Sequence, residues 1–83
     1  MTSVDYRRLR SITARRLIAA LLQDGFSLAR QTGSHRHYKQ PDGMRVTVSF
    51  HHSSDTFPLK TLQSMIEIQA RWQIADLERL DLL

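Results

Sequence analysis

The stretch GSHRHYKQPDGMRVTVSF, residues 33–50, decides the fold, because a strong turn signal separates two segments with strand-like patterns. In RVTVSF, residues 45–50, apolar side chains occupy every second position, which is the period of a strand with one buried face. PDG, residues 41–43, combines the fixed φ of proline with an Asp-Gly pair that tight turns favour. We therefore predict that SHRHYK, residues 34–39, pairs antiparallel with the strand that follows the turn.

A third strand is predicted on the N-terminal side of this hairpin. FSLAR, residues 26–30, begins with alternating side chains, and Thr32-Gly33 provides a turn into the next strand. Two tight connections make an antiparallel meander of three strands. The side chains predicted to face the core are Phe26, Leu28, Val46, Val48 and Phe50.

A helix is predicted before the meander. ARRLIAALLQD, residues 14–24, has apolar side chains at helical spacing, follows a good N-cap at Thr13 and stops at Gly25. The residues before it, 1–12, are predicted to be an irregular lead-in.

A second helix is predicted after the meander, beyond the polar loop HHSSDTF. Pro58 suits the first turn of a helix. The apolar positions of this helix are Leu59, Leu62, Met65, Ile66 and Ile68. A short helical tail, IADLERLDLL, carries Ile74, Leu77 and Leu80 on one side.

These elements predict one α+β domain over residues 1–83, in the order α-β-β-β-α with a short C-terminal helical tail. A three-stranded antiparallel sheet of this kind buries one face against its helices and leaves the other face in water.

The composition favours a polyanionic partner. Residues 1–60 hold ten basic and four acidic side chains, a net +6, whereas residues 61–83 hold two basic and four acidic side chains, a net −2. A basic body of this kind is typical of nucleic-acid binding, and a basic solvated surface is the alternative. The absence of cysteine excludes thiolate chemistry and disulfides, and no apolar run is long enough to span a membrane. We expect a cytoplasmic protein.

The orientation of the middle strand determines which side chains meet a ligand. Tyr38 is its one large, partly apolar side chain, so alternation places Tyr38, Arg36 and Ser34 on the helix side. The opposite, open face then carries His35, His37, Lys39, Arg45, Thr47 and Ser49.

Exposed histidines beside cations suit the cleavage of RNA. A base removes the proton of a 2′-hydroxyl, an acid protonates the leaving 5′-oxygen, and cations stabilise the charge on the phosphate. Imidazole exchanges protons near neutral pH, so His35 is a candidate acid or base. The alternative is that these histidines are merely solvated. No metal site is predicted, because no cysteine or suitably placed carboxylate joins the four histidines.

The sequence resembles the HicA (YcfA-like) family of mRNA interferase toxins from HicAB toxin–antitoxin systems. The resemblance extends from about Leu9 onward. It depends on the triplet Gly33-Ser34-His35, an aromatic residue at Tyr38, the Pro-Asp-Gly turn and the helix start at Thr61-Leu62.

The resemblance implies a double-stranded-RNA-binding-domain-like fold and an endoribonuclease that a HicB-like antitoxin neutralises. It also implies that His35 is the catalytic residue. We therefore predict a metal-independent endoribonuclease without a cofactor, in which Gly33 allows the tight turn, Ser34 helps to position the strand or the phosphate, and His37 assists. The predicted phosphate contacts are Arg36, Lys39 and Arg45. The predicted partners are mRNA and a HicB-like antitoxin, with DNA contacted only through the antitoxin complex.

The sequence departs from the family pattern in two places. Ser49 and Phe50 occupy positions where members often have proline and glycine, and Arg71-Trp72 stands where a glycine commonly ends the second helix. Because arginine in a left-handed conformation is strained, we expect this helix to run on or to end differently.

Two other functions fit the same features. A non-catalytic double-stranded-RNA-binding module has the same order of elements and a basic charge, and it recognises A-form shape without needing His35. A protein-interaction domain would use the basic face to bind an acidic partner.

Overall fold

The computed structural model describes residues 4–83, and its sheet and helices follow the predicted order. Three antiparallel strands lie side by side in the order β1-β2-β3. The elements are α1 (Tyr6–Leu9), α2 (Ala14–Gln23), β1 (Ser27–Thr32), β2 (His35–Lys39), β3 (Arg45–Ser49), α3 (Leu59–Gln63), a π-helix (Ser64–Gln69) that continues α3, and α4 (Ile74–Arg79). The predicted α+β class is confirmed.

One hydrophobic core lies between the sheet and the helices. Tyr38, Val46 and Val48 are buried, as the alternation of β2 and β3 predicts. The core also contains buried side chains from the helices on either side of the sheet in the sequence: Leu17, Leu21, Leu62, Met65, Ile66, Leu77 and Leu80. The opposite face of the sheet is left open, which sets the location of the functional site.

The N-terminal residues differ from the predicted irregular lead-in over 1–12. Residues 6–9 form the single turn α1, whose N-cap Asp5 accepts a hydrogen bond from the Arg7 N–H. Leu9 is buried in the core, so this turn is packed onto the domain. Residues 1–3 lie outside the described part of the chain.

Helix α2 begins and ends as predicted. The Thr13 hydroxyl accepts from the Arg16 N–H, and Gly25 adopts φ +97° directly after the C-cap. The loop after β3 satisfies two further donors, because the carbonyls of Asp55 and Ser53 accept from the N–H groups of residues 14 and 15 at 2.8 and 2.9 Å.

The first strand is less buried than predicted. All six residues of β1 are exposed, and Leu28, predicted to face the core, is 49% exposed. Leu28 pairs with Tyr38 and so lies on the helix side, but of the two edge strands, β1 and β3, it is β3 on which the closest helix-to-sheet packing falls. The prediction that Leu28 is buried is wrong because alternation gives the face of a residue without showing how far the helices extend over it.

The end of the second helix also differs from the expectation. In the π-helix, hydrogen bonds span five residues, as from the Ala70 N–H to the Met65 carbonyl at 2.8 Å. Ile68, predicted as an apolar helix position, is 70% exposed, because at about 100° per residue it lies well away from the side of the helix that buries Leu62, Met65 and Ile66. Arg71 does adopt the left-handed conformation, at φ +57°, and the Trp72 N–H then donates to the Ile66 carbonyl.

The Asp24 carboxylate joins three parts of the chain. Its oxygens accept from the Trp72 indole N–H at 2.8 Å, from the Gln40 side-chain amide at 3.1 Å and from the Arg79 guanidinium at 2.6 Å. Trp72 is buried, and Gln40 also donates to the Asp24 carbonyl. The end of α2, the β2–β3 turn and the C-terminal segment are therefore fixed by one side chain.

Over residues 4–83, no helix combines the length and the apolar character needed to cross a lipid bilayer.

We expect Asp24→Ala to lower the free energy of unfolding by about 3 kcal/mol, because the buried Trp72 indole N–H loses its acceptor and the Gln40 amide and the Arg79 guanidinium each lose one of two acceptors. Urea unfolding measures this change. Glu78→Ala, which removes an exposed carboxylate from α4, is the control and is expected to change stability by less than about 0.5 kcal/mol. Equal effects of the two substitutions would contradict the role given to Asp24.

Arg71→Gly is expected to raise the free energy of unfolding by about 1 kcal/mol, because glycine adopts the left-handed conformation without a Cβ clash. Arg71→Ala is the matched control, since it removes the same charge and keeps the clash. Thermal unfolding of both variants separates backbone strain from charge, and stabilisation by alanine as well as by glycine would attribute the gain to the charge.

Candidate functional site

The open side of the sheet carries nine polar side chains in three rows, which we call the basic face. Directly paired residues of neighbouring strands point to the same side, and buried Tyr38 points to the other side. The rows are Thr32, His35 and Ser49; Arg30, His37 and Thr47; and Ser27, Lys39 and Arg45. None of the nine side chains is acidic, so this face offers only cations, imidazoles and hydroxyls to a ligand.

His35 lies in the first row at the start of β2. Its side chain is exposed, and its partners across the sheet are Thr32 and Ser49. The Phe50 N–H donates to the Ser34 carbonyl. The neighbouring pair, His35 and Ser49, is therefore a non-hydrogen-bonded pair of the antiparallel sheet, the type in which the two side chains lie closest together. The imidazole is therefore open to solvent with hydroxyl groups on both sides.

The turn before His35 depends on Gly33. Thr32 pairs with His35, which leaves Gly33 and Ser34 as a two-residue loop. Gly33 has φ +57°, and a positive φ at the first position of such a loop is typical of the II′ turn, which matches the twist of the strands. Ser34 is half-buried, and the hydrogen bond from Phe50 to its carbonyl, 3.1 Å, ties the turn to the end of β3.

His37 lies in the second row and is more enclosed than His35. It is half-buried, and its Nδ1 is 3.1 Å from the Thr47 hydroxyl oxygen. The Thr47 N–H, at the outer edge of β3, donates to the Gln69 side-chain oxygen at 2.9 Å, and the Gln69 amide donates in turn to the Ser64 hydroxyl. The π-helix thus covers this edge. Its Gln69 binds the backbone of Thr47, the residue whose hydroxyl orients the His37 ring.

Three cations border the second histidine. Lys39 and Arg45 are exposed in the third row, as predicted, and Arg30 lies in the second row opposite His37. Arg30 was not predicted on this face, and strict alternation from Leu28 would place it on the helix side. A bulge between Leu28 and Arg30 reverses its direction.

Arg36 does not join the basic face. It pairs with buried Val48 on the helix side, where its guanidinium carbon is 4.9 Å from the centre of the Phe50 ring. This is the geometry of a cation–π contact. Phe50, predicted to be inward, is half-buried beneath this contact. The structure therefore separates Arg36 from the other predicted phosphate contacts, Lys39 and Arg45.

The other two histidines, His51 and His52, are exposed in the loop after β3. Their backbone N–H groups both donate to one Asp55 carboxylate oxygen at 3.0 Å, and these bonds lower the pKa of the Asp55 carboxyl. Within residues 4–83, no three His, Asp or Glu side chains come close enough together to hold a metal ion.

The geometry supports proton transfer next to a bound phosphate. The exposed His35 imidazole supplies the acid or base. The positive charge comes from Arg30, one row away, and from Lys39 and Arg45, two rows away. The sequence-predicted residues that the structure brings together on this face are His35, His37, Lys39 and Arg45, with Gly33 and Ser34 at its edge.

A family model described as HicA toxin of bacterial toxin-antitoxin matches residues 14–72. The matched region runs from the start of α2 to Trp72 and includes the whole basic face. No curated protein matches the chain.

Gly33→Ala is expected to lower the free energy of unfolding by about 1 kcal/mol, because alanine resists a positive φ. An added Cβ meets no atom within 4 Å, so the cost comes from the backbone and not from crowding. Urea unfolding of Gly33→Ala and of its neighbour Ser34→Ala provides the comparison. A loss no greater than that of Ser34→Ala would show that the turn does not require glycine.

Proposed function

Because the chain belongs to the HicA toxin family and is the toxin of a toxin–antitoxin system, we propose that it is an mRNA interferase, an endoribonuclease that cuts RNA by histidine-based acid–base catalysis. Nuclease activity in general follows from the family, whose members are RNA-cleaving toxins. The observation that carries the proposal for this chain is the exposed His35 among hydroxyl groups, on a face without acidic side chains.

His35 is the proposed catalytic residue. Acting as a base, its imidazole takes the proton of the 2′-hydroxyl, and the resulting oxygen attacks the adjacent phosphorus. The bond to the 5′-oxygen breaks, an acid protonates that oxygen, and a 2′,3′-cyclic phosphate remains. Both proton transfers are within the range of imidazoles, so the reaction needs no metal ion or other cofactor.

His37 is the proposed second acid or base. It points to the same face two residues further along β2, which is about 6.8 Å at the usual rise of an antiparallel strand. Its hydrogen bond to Thr47 fixes the ring orientation. Gly33 and Ser34 form the turn that presents His35, and they are proposed to act through its position.

Lys39 and Arg45 are the proposed phosphate contacts. Both are exposed, they pair directly with each other across β2 and β3, and they share the face of His35. Arg36 lies on the other side of the sheet, next to Gly33, Ser34 and His51. We propose that it contacts only RNA that passes around the Gly33 turn.

The proposed antitoxin is a HicB-like protein. Membership of the family implies an antitoxin partner. A partner with an acidic surface that covers the basic face would exclude RNA and would associate quickly by charge complementarity. Any contact of the toxin with DNA is proposed to occur only through that complex.

A non-catalytic double-stranded-RNA-binding module is the second candidate, favoured by the α-β-β-β-α order and the net charge of +4. Such a module binds duplex RNA better than single strands, shows a steep dependence on salt and does not need His35.

We expect His35→Ala to reduce RNA cleavage by at least about 100-fold while leaving the thermal unfolding transition unchanged, because general acid–base groups contribute roughly 10²–10⁴ in rate. The assay uses purified protein in EDTA and identifies the fragment ends. His52→Ala is the matched control, since it removes an exposed imidazole outside the basic face.

Cleavage by the wild type and by His52→Ala, with 2′,3′-cyclic phosphate or 3′-phosphate ends, is the result expected of the proposed enzyme. A folded His35→Ala protein that cuts as fast as the wild type would remove His35 from the mechanism. Binding of duplex RNA by all three proteins without any cleavage would support the second candidate.

A further inference from the structure

The basic face has a shallow depression next to the His35 row, and we propose that it binds the RNA phosphate adjacent to the one that is cut, with Arg30 as its principal ligand. The depression has a volume of about 440 Å³. Its polar lining comes from the second and third rows: Arg30, His37, Lys39, Arg45 and Thr47. The inference rests on the proposed function for the identity of the cut bond, but the phosphate site itself does not depend on it.

The β-bulge is what brings Arg30 into the depression. Leu28 pairs with Tyr38 and Arg30 pairs with His37, which leaves Ala29 as the extra residue. Without the bulge Arg30 would share the face of Leu28, behind the sheet. Bulges commonly redirect a side chain next to a functional site, and here the redirected side chain is a cation.

The cations of the depression are not neutralised by neighbouring carboxylates. In the described part of the chain, residues 4–83, the basic partners in ion pairs are Arg7 and Arg79. Arg30, Lys39 and Arg45 form none there. Three like charges around one concave surface repel one another, and a bound anion relieves that repulsion. The fork of an arginine matches two phosphate oxygens at once, which makes Arg30 the most specific of the three ligands.

The spacing of the rows matches two consecutive phosphates. His35 and His37 are two residues apart on β2, about 6.8 Å along the strand. This separation is of the same order as that between successive phosphates of an RNA strand. A cut phosphate that lies between the first and second rows, within reach of both His35 and His37, therefore places the next one between the second and third rows, in the depression. Arg30 is then a positioning residue that holds the reacting bond in register.

The binding test uses a short single-stranded RNA in which every 2′-hydroxyl is methylated, so that it binds but is not cut. Arg30→Gln is compared with Arg10→Gln, which removes an exposed arginine away from the sheet. We expect Arg30→Gln to weaken binding about tenfold, as for the loss of a hydrogen bond to a charged group. The slope of log affinity against log salt should fall by about 0.7, the value for one single-strand phosphate. Equal affinities and slopes for the two variants would overturn the phosphate site.

The adjacency test uses cleavable RNA with a single neutral methylphosphonate placed at successive linkages. A substitution one linkage from the cut bond should lower kcat/KM of the wild type about tenfold and cause no further loss in Arg30→Gln, because both changes remove the same contact. Independent, multiplicative losses in Arg30→Gln would place Arg30 on a different phosphate and overturn the inference.

The two proposals fail in distinguishable ways. If the wild type cuts RNA but Arg30→Gln binds it as tightly as Arg10→Gln does, the nuclease proposal stands and the adjacent phosphate site is refuted. If the protein binds methylated RNA through Arg30 but leaves unmodified RNA intact, the phosphate site stands. The nuclease proposal and the adjacency to a cut bond are then both refuted.

Discussion

The Asp24 carboxylate is the interaction on which the arrangement of the domain depends. The sheet and the last helix are distant in the sequence, and a small domain has little apolar surface with which to fix their relative positions. One carboxylate at the end of α2 accepts hydrogen bonds from Gln40, Trp72 and Arg79. It therefore relates the β2–β3 turn to the C-terminal segment, and it does so in a partly buried position where such bonds are less weakened by water.

The basic face depends on this rigidity because its groups come from three strands. His35, Arg30 and Arg45 are supplied by β2, β1 and β3, respectively, and only the register of the sheet places them on one face. That register is maintained at one end by the Gly33-Ser34 turn and at the other by Gln40, whose N–H donates to the Met44 carbonyl and whose side chain is bound to Asp24. Core packing and the proposed chemistry are thus connected through the backbone of β2.

Much of the fold follows from short-range patterns that the sequence displays. Pro41, Asp42 and Gly43 specify the second turn, the alternation around Tyr38 specifies the faces of β2, and Thr13 specifies the start of α2. From these, the exposure of His35, its shared face with Lys39 and Arg45, and the position of Arg36 behind the sheet could all be predicted. The role of His35 came from the resemblance to the family and remains a proposal for this chain.

The features that were not predicted have non-local causes. No residue type near Ala29 indicates the bulge in the sequence. The bulge results from the register in which β1 pairs with β2, and this register moves Arg30 to the other face. The exposure of Leu28 depends on how far the helices extend over the first strand. Arg71 is held in its left-handed conformation because the burial of Trp72 and its bond to Asp24 offset the local cost.

The π-helix has a consequence for the evolution of the chain. A π-turn accommodates about one residue more than an α-turn. The segment 64–69 is therefore one residue longer than an α-helical segment that would span the same distance, and it holds that residue without forming a loop. Each residue of an α-helix rotates the chain by about 100°, since a full turn takes 3.6 residues. Removing the extra residue would turn Trp72 away from Asp24 and Gln69 away from the edge of β3. The number of residues between Pro58 and Trp72 is therefore constrained more tightly than their identities.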